Sequence, residues 1–209
     1  MPWLMARVYD RVMAGSEQAC LHDWRRSLLA GLRGRVLEIG AGTGRSIPCY
    51  PEAVEQLVLA EPDPHMRRRL QDRVGDRRDI RVIDAAAEQL GEPDASFDAV
   101  VSSLVLCSVA TVPRALAEIH RVLRPGGELV FIEHVAAWDD PRRLRWQRRV
   151  EPIWKHVAGN CHLTRDTERA ILDAGFELEH IERDSLRKAM ALVRPSIRGR
   201  ARKPVLEVD

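Results

Sequence analysis

The stretch GRVLEIGAGTGRSIPCY, Gly34 to Tyr50, decides how the rest of the chain is read. An apolar run around Val36, Leu37 and Ile39 is followed at once by Gly40, Gly42 and Gly44. The run reads as a buried strand, and glycines at its end allow backbone approaches that a Cβ would forbid. A strand, a Gly-rich turn and a helix start make the nucleotide-binding corner of a doubly wound sheet. Dinucleotide folds space these glycines G-x-G-x-x-G and seat a pyrophosphate on the helix N-terminus. Here the spacing is E-x-G-x-G-x-G, Arg45 stands where the third glycine of that pattern falls, and Pro48 interrupts the helix early. The corner therefore suits a ligand that lies along the backbone without a diphosphate. An NAD-dependent oxidoreductase fails on Arg45.

Outward from this corner, short β-rich runs alternate with helical patterns. RVLEIG, QLVLAEP, DIRVIDA, FDAVVSSLVL and GELVFIEHV read as strands. Arg45–Tyr50 (short), Pro64–Val74 and Val112–Leu123 read as helices, the last stopped by RPGG. Strict alternation implies an α/β fold with a parallel sheet covered by helices on both faces. Residues 1–33 read as a helical cap, with Ala19, Leu21, Trp24, Leu28, Leu29 and Leu32 at helical spacing. Beyond Val135, a Trp- and Arg-rich stretch reads as a helix and then a loop. LTRDTERAILDAGF reads as a further helix with Thr164 as N-cap and Gly175 as its stop, and FELEHIERDS with PSIRGRARK reads as a terminal hairpin. The expected plan is one domain over 1–209: the cap, a ligand-binding core over 34–135, and acceptor-site helices with the hairpin over 136–209.

Acidic residues at the strand ends narrow the ligand. Glu38 would repel phosphate and attract a cationic amino-acid group. Glu61, closing the second strand ahead of Pro62, is placed to accept hydrogen bonds from both hydroxyls of a ribose. Asp84 and the backbone of Ala86–Ala87 stand where an adenine ring would lie. An adenosine that carries a cationic amino acid in place of phosphates is S-adenosyl-L-methionine (SAM).

The segments VLEIGAGTG, EPDPHM, AAAEQL, ASFDAVVSSLVLCSV and EIHRVLRPGGELVFIEH resemble the class I SAM-dependent methyltransferases of the type-11 group. The resemblance runs over about residues 5 to 205. It implies a Rossmann-like, seven-stranded, mostly parallel sheet with an antiparallel C-terminal hairpin. It also implies a cofactor held by Glu38, Gly40, Gly42, Gly44, Glu61, Pro62, Ala86, Ala87, Ser103 and Leu104. Ala86 departs from the family, which often carries an acid there. More narrowly, LVLCSV, RVLRPGGELVFIEHVAA and EPIWKHVAGNCHLTRDT look like the methyltransferase-like thiol S-methyltransferases, whose animal members methylate small alkyl thiols. Those members begin with a hydrophobic membrane anchor.

Methyl transfer from a sulfonium asks the protein chiefly to align the nucleophile and exclude water, with modest help in deprotonating a thiol. FIEHVAAW delivers His134 to the carboxyl edge of the sheet, where ligands of open α/β folds bind. His134 is therefore the first candidate for a base or orienting group and His156 the second. Asn160, His162, Trp138 and Tyr9 are candidates for the acceptor pocket. Cys107 reads as core and Cys161 as an outside candidate for the acceptor site. Trp138, Trp146 and Trp154, eight residues apart, read as core or the face of a lid.

Composition sets the outer limits. The chain has 209 residues, 45% hydrophobic and 31% charged, with net charge +2. This is ordinary globular composition and does not point to nucleic acid. Four cysteines without C-x-x-C spacing point to a reduced, cytoplasmic protein with no metal site. Arg7, Asp10 and Arg11 break the first 15 residues, so a signal peptide is not expected. PRRLRWQRRV reads as a solvated lid helix, with peripheral contact at a membrane surface as the alternative. The expected partner is a small-molecule acceptor, the protein a monomer or homodimer. S-methylation leads, with O-methylation of a phenol or carboxylate and C-methylation of a quinone-like ring left open. A non-catalytic SAM-binding protein would be marked by loss of the glycines or of the ribose acid, and both are present.

Overall fold

The computed structural model describes residues 13–205. Its centre is one seven-stranded sheet in the order β3-β2-β1-β4-β5-β7-β6. The strands are β1 (Gly34–Ile39), β2 (Val54–Ala60), β3 (Ile80–Ile83), β4 (Phe97–Ser103), β5 (Leu123–His134), β6 (Glu177–Ser185) and β7 (Pro195–Arg202). The first five run parallel, and β7 lies antiparallel between β5 and β6. All five core strands and the terminal hairpin stand where the sequence placed them.

Each central strand is apolar on both sides because both faces are covered. Leu37, Ile39, Leu129 and Phe131 enter one apolar layer, with Leu116 and Ile119 of α3 (Val112–Val122) and Ile171 of α5 (Thr167–Asp173). Val36, Val130 and Ile132 enter the other, with Trp24, Leu28 and Leu29 of α1 (His22–Leu29) and Leu70 and Val74 of α2 (Pro64–Val74). The period-2 alternation of the strands thus feeds two cores at once.

Local chemistry sets the helix ends. The Asp63 carboxylate accepts from the N–H groups of His65 and Met66, Pro64 takes the first turn, and Gly75, at φ +57°, ends α2. Asp140 caps α4 (Pro141–Val157) through the N–H groups of Arg142 and Arg143. The cap of α5 is a correction: Asp166, not Thr164, accepts from the Arg169 N–H. Thr164 instead gives its hydroxyl to Glu151 at 2.6 Å. Gly175 stops this segment at φ +84°, as its sequence position suggested.

Three further readings change. The short helix at Arg45–Tyr50 is a single 3-10 turn at Ile47–Cys49, since Pro48 prevents a longer ladder. FDAVVSSLVL leaves the sheet at Ser103, and Leu104 turns away at φ +61°. Of the two readings left open for Trp146, core or the face of a lid, the core one falls: it lies exposed on α4, with Ile153 and Val157. The neighbouring Gln147 is the fully buried residue. Its amide donates to the carbonyls of Val135 and Leu192 and accepts from the Ala137 N–H, so Gln147, rather than the Trp146 indole, docks this part of α4. Among the described residues no helix is long and apolar enough to cross a membrane.

The tightest point of the sheet is Gly199 in β7. A Cβ there would stand 2.1 Å from the His180 carbonyl oxygen and 3.0 Å from the Phe131 ring. Gly199→Ala should therefore cost about 1–3 kcal/mol, read as a lower urea midpoint. An unchanged midpoint would show that β6 can yield at no cost.

Candidate active site

The three glycines after β1 serve three different neighbours. A Cβ on Gly44 would stand 2.7 Å from side-chain methyls of Ile47 and Leu70, so this glycine is spent on packing. One on Gly40 would overlap Val105 at 2.6 Å. Gly42 is the open one: its Cβ would meet only the Gly40 carbonyl oxygen, at 4.0 Å. Opposite it sits Glu61. One carboxylate oxygen accepts from the Gly42 N–H at 2.7 Å, the other from the Asp63 N–H at 2.9 Å. Burial raises the Glu61 pKa, and the two N–H groups partly offset this.

Gly40, Gly42 and Glu61 open onto a cavity of about 390 Å³, whose wall also includes Pro62, Ala86, Ala87, Ser103, Leu104 and Asn160. That volume lies within the range of small-ligand sites, roughly 300–1,000 Å³. The structure thus brings together eight of the ten residues expected to face a cofactor. Glu38 and Gly44 are the two outside the wall. Glu38 is buried beneath the loop, accepting from the hydroxyls of Ser46 at 2.7 Å and Tyr50 at 3.0 Å. Burial raises its pKa. Asp84 is also elsewhere: both its oxygens pair with the Arg67 guanidinium, at 2.8 and 2.9 Å. Glu88 and Met66, not singled out in the sequence, do line the cavity. Glu88 accepts from the N–H groups of Ala110 and Thr111, which ties the adenine-side loop to the start of α3.

Two non-glycine residues of the wall, Leu104 and Asn160, have φ of +61° and +65°. Left-handed backbone costs an L-residue roughly 1–2 kcal/mol, so the surroundings must hold it in place. For Leu104 the holder is Glu133, fully buried at the end of β5. Its carboxylate accepts from the Ser102 hydroxyl at 2.6 Å and from the N–H groups of Val105, Leu106 and Cys107 at 3.1–3.3 Å. Burial raises its pKa, and these donors oppose the rise. No sequence signal marked Glu133, because its donors lie some 30 positions upstream. Arg25 was missed for the same reason: buried on α1, it pairs with Glu17 and donates to the Ser103 hydroxyl at 3.2 Å.

The residues proposed for acceptor chemistry separate. His134 is buried, with Nε2 2.8 Å from the Cys161 sulfur and Nδ1 unpartnered among the described residues. It is not in the cavity wall. Its role as a base acting directly on an acceptor there has no geometric support, because its reachable nitrogen already faces a sulfur. His156 is exposed and turned to the Pro152 carbonyl of its own helix, so it is set aside as a catalytic group. His162 faces Glu151 at 3.3 Å and Trp138 borders a different hollow, beside Ala136 and Arg143. Asn160 alone of the described acceptor candidates lines the cavity, its amide donating to the Ser108 carbonyl at 2.8 Å. Tyr9 lies outside the described residues.

Cys107 is fully buried beside Cys161. The close approach of the two sulfurs pulls the Cys161 pKa well down, helped by His134, and with burial drives that of Cys107 up. Neither cysteine is in the cavity wall, though their chain neighbours Asn160 and Ser108 are.

Comparison with known proteins agrees with this geometry. The family described as "Methyltransferase domain" matches residues 37–131. The thiol S-methyltransferase TMT1A of Homo sapiens is 34% identical over 212 aligned residues, covering 96% of this chain and 84% of its own length. The thiol S-methyltransferase TMT1B of Homo sapiens is 38% identical, with 83% of this chain and 73% of its own covered. Among solved structures, the N-methyltransferase NodS of Bradyrhizobium japonicum superimposes with a TM-score of 0.65 over 90% of this chain and 97% of its own, at 19% identity, a likeness of fold.

Glu133 yields the test of this site. Glu133→Ala strands a hydroxyl and three N–H groups, so it should lower stability by at least about 2 kcal/mol, with Glu133→Gln milder because one acceptor oxygen survives. Urea titration of both variants checks the order. Equal midpoints for parent and alanine variant would mean that Leu104 is held by something else.

Proposed function

The chain belongs to the SAM-dependent methyltransferase family, and from that premise we propose that it methylates a small thiol on sulfur. The observation that carries the cofactor side is Gly42, open toward the cavity, facing the paired lone pairs of Glu61. SAM, when bound, supplies an activated methyl group on a sulfonium. In this reading Glu61 accepts from the ribose hydroxyls, and Gly40 and Gly42 let the ligand lie against bare backbone. Ala86 and Ala87 border the adenine, which leaves its exocyclic amine to backbone groups, since Asp84 is spent on Arg67. Ser103 and Leu104, held by Arg25 and Glu133, set the wall on the methionine side.

For the acceptor, support comes from two directions. The thiol S-methyltransferases named above share most of their length with this chain. The wall also carries the apolar Val105, Val109 and Ala110 beside Ser108 and Asn160, a lining that suits a small, weakly polar acceptor. A thiol ionises near pKa 8.5 and a phenol near 10, so a site whose wall holds carboxylates already engaged with backbone N–H groups, and no histidine, favours the thiol. Incubating the protein with labelled SAM and a panel of alkyl thiols, phenols and quinones should put label on the thiols first. Label on a phenol or quinone alone would overturn the proposal.

The cofactor assignment has its own pH signature. An ionised Glu61 accepts two hydroxyls well and a protonated one poorly. SAM affinity should therefore hold at neutral pH and fall as the pH drops through the raised pKa of Glu61. Calorimetry with S-adenosylhomocysteine should show this fall in the parent and a flat profile in Glu61→Gln. Glu61→Ala should weaken binding roughly 10- to 100-fold at neutral pH.

A further inference from the structure

Cys107, His134 and Cys161 lie far apart in the chain, on the loop after β4, the last position of β5 and the loop after α4. The fold brings their ligand atoms, two Sγ and one imidazole nitrogen, within 4.8 Å of one another in a buried spot. We propose that this cluster is a zinc-binding site whose open fourth position takes the acceptor thiol.

The donor set argues for the ion. Two thiols and an imidazole are soft to borderline ligands, suited to zinc and unsuited to magnesium or calcium. A tetrahedral zinc with sulfur at ~2.3 Å and nitrogen at ~2.0–2.1 Å spaces its ligand atoms about 3.5–3.8 Å apart. The cluster needs to shift by less than an ångström or so to meet that spacing.

The backbone already positions the donors. Cys107 is held by its N–H on Glu133 and by its carbonyl, which accepts from the His162 N–H at 2.8 Å. That second bond fixes the Cys161 side of the cluster as well. His134 is paired to Ser196 of β7 within the sheet. Arg165 donates to the carbonyls of Leu106 and Val109 and so ties the two loops together. Ligands fixed this way lose little freedom on meeting a cation.

The three side chains also stand in unusually close contact. Nε2 of His134 stands 2.8 Å from the Cys161 sulfur, closer than the ~2.9–3.0 Å usual for an N–H···O bond although sulfur is the larger atom. Nδ1 of the same ring is buried without a partner among the described residues. A cation between Nε2 and the two sulfurs would take one lone pair from each, replacing the bond that Cys107 Sγ makes to the Leu104 carbonyl.

Three protein ligands leave one position of a tetrahedral zinc open. The chain neighbours of two ligands, Ser108 and Asn160, line the cavity assigned to the cofactor, and Cys161 remains partly accessible. A thiol arriving there would lose its proton to bulk water as its S–H bond gives way to a sulfur–zinc bond, because a coordinating thiol is deprotonated. The thiolate would then stand beside the cavity without needing a general base. This last step rests on the thiol reading above. The metal site itself does not.

The test uses the reduced full chain under inert gas, with Co²⁺ as the probe and Zn²⁺ as competitor. One cobalt per chain should give a near-ultraviolet thiolate-to-metal band and the visible bands of tetrahedral cobalt, both erased by Zn²⁺. Cys161→Ser and Cys107→Ser should each lose most of the near-ultraviolet intensity, with S-adenosylhomocysteine binding serving as the check that they fold. Cys49→Ser should keep it. Absence of the band in the parent, or its survival in both variants, overturns the zinc site whatever the acceptor proves to be. Added ethanethiol should shift the visible bands. If it does not, the acceptor role fails while the site stands, and the labelled-SAM panel reports separately whether thiols are methylated at all.

Discussion

A single buried carboxylate organises this molecule's upper edge. Glu133 ends its strand among donors from the neighbouring one, taking the Ser102 hydroxyl and three successive N–H groups of the loop beyond it. A buried acid is costly unless its lone pairs are used, and here four donors use them. The same bonds hold Leu104 in a backbone region it would otherwise avoid, aim Val105 at Gly40, and present Cys107 beside Cys161. Cavity wall and sulfur cluster are two consequences of one anchoring contact.

The remaining charges around the site are assigned in the same way. Arg25 answers Glu17, Arg67 answers Asp84, and Glu38 is held by two hydroxyls. Glu61 takes one backbone N–H on each oxygen, which leaves its carboxylate with lone pairs to offer a ligand. Asp63 and Glu88, the other acids of the wall, also accept from backbone N–H groups; burial opposite the open Gly42 is what sets Glu61 apart.

Much of the architecture was readable because its signals are local. Apolar runs bounded by turns located β1 through β5, and the helical pattern over Pro64–Val74 located α2. Errors fell where a local signal met a longer-range competitor. Thr164 looks like a cap until Glu151 claims its hydroxyl, leaving Asp166 the task. Trp146 has the spacing of a core residue, yet it is Gln147 that docks this part of α4, through three hydrogen bonds. Asp84 stands at the right strand end but is taken by an arginine 17 positions earlier.

What the amino-acid order alone determined is the nucleoside corner: E-x-G-x-G-x-G after a buried strand, an acid closing the next, and the alternation that makes a parallel sheet. These rest on steric and hydrogen-bonding rules acting over a few residues. Only the tertiary structure decided which glycine faces the cavity, which acid is free to meet a ligand, and that two cysteines and a histidine share one buried spot. Those depend on contacts between segments apart in the chain, 17 positions for Arg67 with Asp84 and 65 for Gly40 with Val105, and the free energy of such contacts is set by packing and burial that no local pattern encodes.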